Sequence, residues 1–596
     1  MRELSVPPIA VIPRNANLTD PVWRNADDSP DLAMFARRDG DTWWDVTAAG
    51  FREEVVALAR GLVAAGVATG DRIGLLSGTR YEWTLFDYAI WAAGGVVVPV
   101  YETSSPNQVE WILSDSGAVA CVAETADHAR ILAGLRDRLP DLKLTWQIDA
   151  GAVAELVSEG ESVDPAAVEE RRGSRTADDL ATLIYTSGTT GRPKGCTLTH
   201  RNVYTDVANA IPGLPELFHE GSSTLLFLPL AHSFARLIQI GCVTGKAKLA
   251  HTADIANLLA ELASFRPTFL LSVPRVFEKV YNAARQKAHA SGKGAIFDRA
   301  ERVAVSYSEA LDQGGPGLAL RIQHRIFDRL VYSRLRDVLG GRCERAISGG
   351  APLGARLAHF YRGIGITVYE GYGLTETSPA TNVNLQEDIR IGTVGRPLPG
   401  IAERIADDGE ILIKGDVVFQ GYWNNPAATS EVIDEDGWFH TGDLGELDAD
   451  GYLTITGRKK EMIVTAGGKN VAPATLEDQV RAHPLVSQCV VVGDRRPFIA
   501  ALITLDQEAL PGWLEQHGKP ADMSVERLRH DPEVRAAIQA AVDDANQAVS
   551  RAESIRAFQI LPTDFTITGG GLTPSLKVKR TVVLKEYANE ISAIYS

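Results

Sequence analysis

Through the first 340 residues, short aliphatic runs alternate with stretches of helical periodicity, and few folds accommodate that rhythm. Glu53 to Ala65 carries Val55, Val56, Leu58, Ala59, Leu62 and Val63 at helical spacing, and Arg72-Ile-Gly-Leu-Leu then reads as a short strand. Trp83 to Ala93 followed by Val96-Val-Val-Pro-Val repeats the unit, as does Ala260 to Arg266 followed by Thr268-Phe-Leu-Leu-Ser-Val. A strand apolar along its whole length must be covered on both faces. The alternation therefore predicts parallel sheets with crossover helices.

The chain has 596 residues, long enough for about four domains or for one large body and a small one. Its 76 acidic and 60 basic side chains leave a net charge of −16, which argues against nucleic acid or an anionic membrane held by bulk charge. A local basic pocket for a small phosphorylated ligand is compatible with that balance. Five scattered cysteines with no Cys-x-x-Cys pair argue against a disulfide framework or a zinc site and fit a reducing cytoplasm. The N-terminus has no apolar signal-peptide core, and the most apolar stretch, Ala89 to Val100, is too short to span a bilayer. A soluble protein is expected.

Residues 275–339 depart from the alternation, being long, helical and rich in arginine. Ile322, Ile326, Leu330 and Val331, then Leu335, Val338 and Leu339, recur at three- and four-residue steps beside Arg321, Arg325 and Arg329. The pattern predicts an amphipathic helix packed on the body with its basic face in solvent. A membrane-surface helix is the other reading. After residue 400 the chain becomes turn-rich, and Gly409-Glu-Ile-Leu-Ile-Lys-Gly and Gly451-Tyr-Leu-Thr-Ile-Thr-Gly predict a small antiparallel sheet or barrel. A charged, glycine-containing break at residues 457–470 marks a domain boundary, beyond which a small α+β unit is expected.

The strongest local signal is Leu183-Ile-Tyr-Thr-Ser-Gly-Thr-Thr-Gly-Arg-Pro-Lys-Gly195. A buried strand, Leu180 to Thr186, runs into glycines, hydroxyls, an arginine and Lys194. Glycines let backbone N–H groups turn toward an anion, hydroxyls donate further bonds and the lysine adds a point charge. The spacing is not that of a Walker A loop. Such a loop clasps a polyphosphate.

Tyr185-Thr-Ser-Gly-Thr-Thr-Gly-Arg-Pro-Lys-Gly resembles the phosphate-loop motif of the adenylate-forming superfamily: acyl-CoA synthetases, luciferases and peptide-synthetase adenylation domains. Five further motifs follow in the family's order: Ser348-Gly-Gly-Ala-Pro-Leu, Tyr369-Glu-Gly-Tyr-Gly-Leu-Thr-Glu-Thr, Gly437-Trp-Phe-His-Thr-Gly-Asp, Gly457-Arg-Lys-Lys-Glu and Thr573-Pro-Ser-Leu-Lys-Val-Lys-Arg. The resemblance implies an N-terminal domain over residues 1–456, built of stacked αβαβα sheets and a small barrel-like β subdomain, with a helical insertion near 275–345. It also implies a hinge at 457–460 and a small mobile α+β domain over 461–596.

By the same resemblance, ATP and AMP are bound by Thr186, Ser187, Gly188, Thr189, Thr190, Gly191 and Lys194 of the loop. Gly349, Gly350, Ala351 and Pro352 join them at the adenine-site strand and turn, as do Glu370, Gly371, Tyr372 and Gly373, with Tyr372 packed against the adenine and Thr375 touching the α-phosphate. Asp443 takes the ribose hydroxyls with Arg458 assisting. Glu376 and Thr189 ligate Mg²⁺. Lys577 is the catalytic lysine that bridges carboxylate and α-phosphate, although Leu576 replaces the family's usual glycine before it and leaves Lys579 as a competitor. Lys460 is the pivot, and Gly467 and Gly468 line the CoA channel.

Leu225-Leu-Phe-Leu-Pro-Leu-Ala-His-Ser-Phe-Ala-Arg236 and the helical insertion resemble the long-chain fatty acid–CoA ligase branch, of an actinobacterial type. His232 then lies near the substrate carboxylate as a catalytic residue. The implied reaction is ATP-dependent formation of acyl-AMP and pyrophosphate, then transfer to CoA. The partners are fatty acid, ATP, Mg²⁺ and CoA, without nucleic acid. A cytoplasmic enzyme touching the inner face of the membrane for its lipid substrate follows, and a homodimer is one assembly it allows. A fatty acyl-AMP ligase serving a carrier protein, and a CoA ligase for a medium-chain or aromatic acid, are the alternatives. A catalytically dead scaffold fits poorly, since Lys194, Glu376, Asp443 and Lys577 are all present.

Overall fold

The computed structural model describes all residues except 41, 187–191, 521 and 574–575. Among them the expected alternation becomes three sheets. The first runs in the order Leu144–Gln147, Ala120–Ala123, Arg72–Leu76, Val96–Val100, Leu180–Thr186 and Lys194–Thr199, parallel except at its last strand. The second is Ser223–Leu226, Lys248–His251, Ala33–Asp39 and Thr42–Thr47. The third begins with parallel Phe269–Ser272, Arg345–Ser348 and Thr367–Tyr372 and ends in two short antiparallel strands. Hydrogen bonds join the second and third sheets, from Thr268 N to Ser223 O (2.9 Å) and from Ser223 N to Thr268 Oγ1 (2.8 Å).

Two helices, Tyr81–Ala92 and Ser233–Gly245, are buried almost all round; the first exposes only part of Glu82. A helix without a polar stripe must lie inside a core. One apolar cluster joins these helices to Leu75, Val97 and Ile184 of the first sheet, Phe35 and Leu249 of the second and Leu271 and Ile347 of the third. This is the stacked αβαβα arrangement. Across the two helices Arg236 pairs with Asp87, whose Oδ2 also accepts from Gln239 Nε2 at 2.9 Å.

The barrel-like subdomain expected after residue 400 is a five-stranded antiparallel sheet in the order Glu3–Ser5, Ala402–Ile405, Glu410–Lys414, Phe439–Leu447 and Leu453–Arg458. The C-terminal unit has a three-stranded sheet, Val486–Val492, Ile499–Leu505 and Ile555–Ile560. Its two apolar clusters draw only on residues from Ile463 onward. It meets the large body through Arg275 and Asp506 (3.0 Å) and Lys279 and Glu508 (2.9 Å).

The helical insertion comprises Pro274–Ala290, Gly294–Leu311, Leu318–Phe327, a π-helical turn at Asp328–Tyr332 and Ser333–Val338. Its apolar residues do not form the single packed stripe that their spacing suggests. Phe327, Val331, Leu335 and Leu339 face the body, whereas Ile322, Ile326 and Leu330 are 55%, 51% and 53% exposed. The inward seats are taken by polar anchors as well: Tyr332 donates to Ala300 O (2.6 Å), and His324 Nε2 lies 2.6 Å from Gly363 O. Residues 326 and 327 sit about 100° apart on a helix, so both cannot face the same neighbour.

All five cysteines are buried and unpaired. Among the described residues no helix is long and apolar enough to cross a membrane.

Candidate active site

The carboxyl ends of three strands, Leu180–Thr186, Arg345–Ser348 and Thr367–Tyr372, open on one cavity of about 2850 Å³. Open α/β sheets bind ligands at such ends. Thr186, Lys194, His232, Gly349–Pro352, Glu370–Gly373, Thr375, Glu376, Asp443, Arg458, Lys460 and Lys577 all line it. Ser187, Gly188, Thr189, Thr190 and Gly191 lie outside the described residues.

At one end, antiparallel pairing sets Thr186 opposite Lys194 across the loop. Lys194 Nζ lies 4.7 Å from the centre of the Tyr422 ring, and Tyr422 donates its hydroxyl to Glu376 Oε1 at 2.9 Å. Burial, reinforced by the charge of Glu376, pushes the Tyr422 phenol far above its ordinary pKa and keeps it a donor. Thr375 Oγ1 meets Ser233 Oγ at 3.1 Å. Among the described residues no group of three or more His, Cys, Asp or Glu could hold a metal ion. Mg²⁺ keeps several water or phosphate ligands and needs only one or two carboxylates, so Glu376 fits that ion together with nucleotide oxygens.

At the other end, register pairs Asp443 with Arg458. Arg458 Nε is 2.8 Å from Asp443 Oδ1, and Tyr372 donates its hydroxyl to Oδ2 at 2.8 Å. The carboxylate is thereby aimed and held, 3% exposed, at the cavity wall. Glu370 Oε1 accepts from Leu353 N (2.9 Å), which ties the turn after Arg345–Ser348 to the neighbouring strand; burial lifts its pKa to about 7. Gly373 permits a close crossing, since a Cβ there would come within 1.6 Å of Pro379 O.

Lys577 enters this cavity from the C-terminal unit. Its Cε lies 3.7 Å from the position a Cβ would take at Gly350. Thr573 and Leu576 hold it locally: Thr573 N donates to Lys577 O (2.8 Å), Lys577 N donates to Thr573 Oγ1 (3.0 Å), and Leu576 adopts φ +62°. Arg580, three residues on, fastens the segment by donating to Val491 O (2.8 Å) and pairing with Glu477. Lys577 is accessible and lines the cavity. The surrounding protein, then the Arg458 charge, depress its pKa, while Asp443 and Glu461 oppose them. Lys579, the competitor, also lines the cavity, and its N–H donates to Gly571 O at the start of the helix Arg580–Glu586.

His232 caps the helix Ser233–Gly245, its Nδ1 accepting from Phe234 N at 3.2 Å. That bond leaves the proton on Nε2. Burial and the nearby Lys577 charge lower its pKa to about 3, so the ring is neutral. Lys460 is exposed in the short turn Lys459–Glu461. Gly467 and Gly468 sit on an exposed turn that does not line the cavity.

An apolar arm of the cavity is walled by Val207, Ile211, Leu214, Phe218, Leu237 and Ile238. Gly241 belongs to it, and a Cβ there would press on the Phe218 ring at 3.0 Å. The helix His200–Ala210 supplies part of this wall, but its spacing in sequence has no signal to distinguish it from ordinary core. Tyr422 was equally invisible, because the stretch around it matches no motif.

The sequence pattern of AMP-binding enzymes matches residues 22–423, and that of the AMP-binding enzyme C-terminal domain matches residues 460–596. The chain belongs to the AMP-binding enzymes. This AMP-binding enzyme is 54% identical to proteins of Mycobacterium bovis and Mycobacterium tuberculosis, each named long-chain-fatty-acid–CoA ligase FadD15, over the full length of both chains. It is 31% identical to a Xenopus laevis protein named long-chain-fatty-acid–CoA ligase ACSBG2, over 95% of this chain and 82% of that one. Its fold is similar to that of an anthranilate CoA ligase solved with anthranoyl-AMP (TM-score 0.72, 20% identity, 98% and 99% of the chains covered). It is likewise similar to ATP-bound MatB of Rhodopseudomonas palustris (TM-score 0.69, 23% identity, 97% and 99% covered).

Proposed function

We propose that this AMP-binding enzyme activates a long-chain fatty acid with ATP, forming acyl-AMP and pyrophosphate, and then transfers the acyl group to CoA with release of AMP. The observation that carries the reading is full-length 54% identity to relatives named long-chain-fatty-acid–CoA ligase. An apolar arm joined to a cationic, hydroxyl-rich chamber supports it.

In the first step two anions must meet, the fatty carboxylate and the α-phosphate, so the barrier is largely electrostatic. The ribose hydroxyls would donate to Asp443, which Tyr372 and Arg458 hold in place. Lys194, with the loop it follows, would hold the outer phosphates. Mg²⁺, held by Glu376 and phosphate oxygens, supplies charge neutralisation when bound. His232 Nε2–H would donate to a carboxylate oxygen and orient it. Lys577 would bridge that carboxylate and the α-phosphate, where negative charge peaks in the transition state. The carboxylate oxygen bonds to phosphorus as the bond to pyrophosphate breaks.

Lys577 packs beside Gly350, and in this reading it would occupy the side of the carboxylate from which a thiol must approach. Release of the unit 461–596 about Lys460 would open that side, and the unhindered backbone of Gly467 and Gly468 could then line the CoA channel. The CoA thiolate would attack the acyl carbonyl and expel AMP. A fatty substrate partitions into bilayers, and the enzyme would meet it there as a peripheral protein.

The test is AMP release by the purified protein with ATP, Mg²⁺, CoA and a panel of C2 to C20 acids. CoA-dependent release that rises toward the longer chains is expected. Release only with short or aromatic acids would overturn the long-chain assignment, and dependence on a carrier protein in place of CoA would favour an acyl-AMP ligase.

A further inference from the structure

We infer that the outward face of the 318–334 helical segment docks the enzyme on an anionic lipid bilayer. Leu318, Ile322, Ile326 and Leu330 are 76%, 55%, 51% and 53% exposed and recur every fourth residue. Four large aliphatic side chains in one exposed row exceed the isolated apolar residues any surface carries. The inward face of the same segment is already satisfied by Phe327, Val331, Tyr332 and Leu335, so the row is surplus to the core.

Each of the last three apolar residues follows an exposed arginine: Arg321, Arg325 and Arg329. Among the described residues Arg325 and Arg329 form no ion pair, and residues 317–327 contain no acid. Asp328 is turned to Arg336 at 2.7 Å. An apolar row flanked by free arginines suits a helix lying in the plane of a membrane: aliphatic chains enter the headgroup boundary and guanidinium groups reach lipid phosphates. A second copy of this chain fits less well, because self-complementary pairing would set arginine row against arginine row. The net charge of −16 sharpens the choice of face, since an anionic surface repels the rest of the molecule and admits this one. The purpose of docking rests on the lipid-substrate reading above, but the contact can be measured without catalysis.

The experiment is flotation with phosphatidylcholine vesicles, with and without about 30% phosphatidylglycerol. Wild-type protein is expected to float with the anionic vesicles and to be released as salt rises. R325E/R329E and I322S/I326S/L330S should each reduce the bound fraction constant by about 10-fold or more. Both variants should keep wild-type melting temperature and wild-type rate on octanoate, a soluble acid. Unchanged flotation of either variant would overturn the proposal. So would no flotation of wild type alongside a dimer in light scattering that the serine variant abolishes. Vesicle binding with no turnover of long-chain acids would instead defeat the ligase reading and leave this surface supported.

Discussion

In the proposed mechanism Lys577 carries the charge that the transition state needs, in surroundings that disfavour it. Desolvation by the protein packed around it and the charge of Arg458 hold its pKa below the usual lysine value, so its ammonium is lost at lower pH than a free lysine's. Acyl-AMP formation should therefore fall on the alkaline side before pH 10.5, and Lys577→Arg should move that limb upward in whatever activity survives. Lys577→Ala should slow acyl-AMP formation by about 10²-fold or more, the scale of losing one preorganised electrostatic contact. Thioester formation from supplied acyl-AMP should persist, and equal loss of both steps would refute the assignment. His232 is neutral above about pH 4, so the acid limb of the profile does not belong to it. Ile211 lines both the apolar arm and a second cavity of about 710 Å³ bordered by Ile12, Ala16 and Ala208. Ile211→Trp should shorten the arm, lowering kcat/KM for C16 and C18 acids about tenfold or more while sparing C8. A uniform loss across chain lengths would place Ile211 elsewhere.

Among the elements, the two central helices pose an energetic problem that a single ion pair answers. Tyr81–Ala92 and Ser233–Gly245 lie between sheets, yet carry Asp87 and Arg236, 0% and 3% exposed at their side chains. Arg236 Nη1 also donates to Thr182 Oγ1 at 2.6 Å, and Gln239 completes the carboxylate's partners. Removing one partner leaves an uncompensated buried charge. Asp87→Ala should thus destabilise the fold by about 3–5 kcal/mol, read by denaturant unfolding, whereas replacing both partners with apolar residues should cost much less. The helices and strands themselves were legible because their periodicities differ and each strand is apolar throughout. The split stripe of the insertion was not legible: spacing assigns residues to a helix face, but only the neighbouring helix Gly294–Leu311 decides which face is covered.

Over the whole molecule, the two bodies own separate cores and share one cavity, which is the arrangement a two-step reaction requires. Lys460 is exposed in the short turn Lys459–Glu461 between them. Lys460→Pro should restrict backbone rotation there and slow thioester formation several-fold more than acyl-AMP formation, measured by single-turnover kinetics of each half-reaction. Equal slowing would remove the pivot from that residue. The residues that meet in this cavity were readable in the chain, because Thr186, Lys194, Glu376, Asp443 and Lys577 belong to short local motifs and all line it. The aliphatic alternation likewise pointed to parallel pairing, which holds for the buried strands Arg72–Leu76, Val96–Val100 and Phe269–Ser272, whereas Thr42–Thr47 and Lys194–Thr199 pair antiparallel at sheet edges. Tertiary structure alone decided that Tyr422 aims Glu376, that Ile211 divides two cavities and that Ile322, Ile326 and Leu330 face outward. Each of these depends on contacts between residues tens to hundreds of positions apart, and local spacing carries no record of which distant surface will arrive.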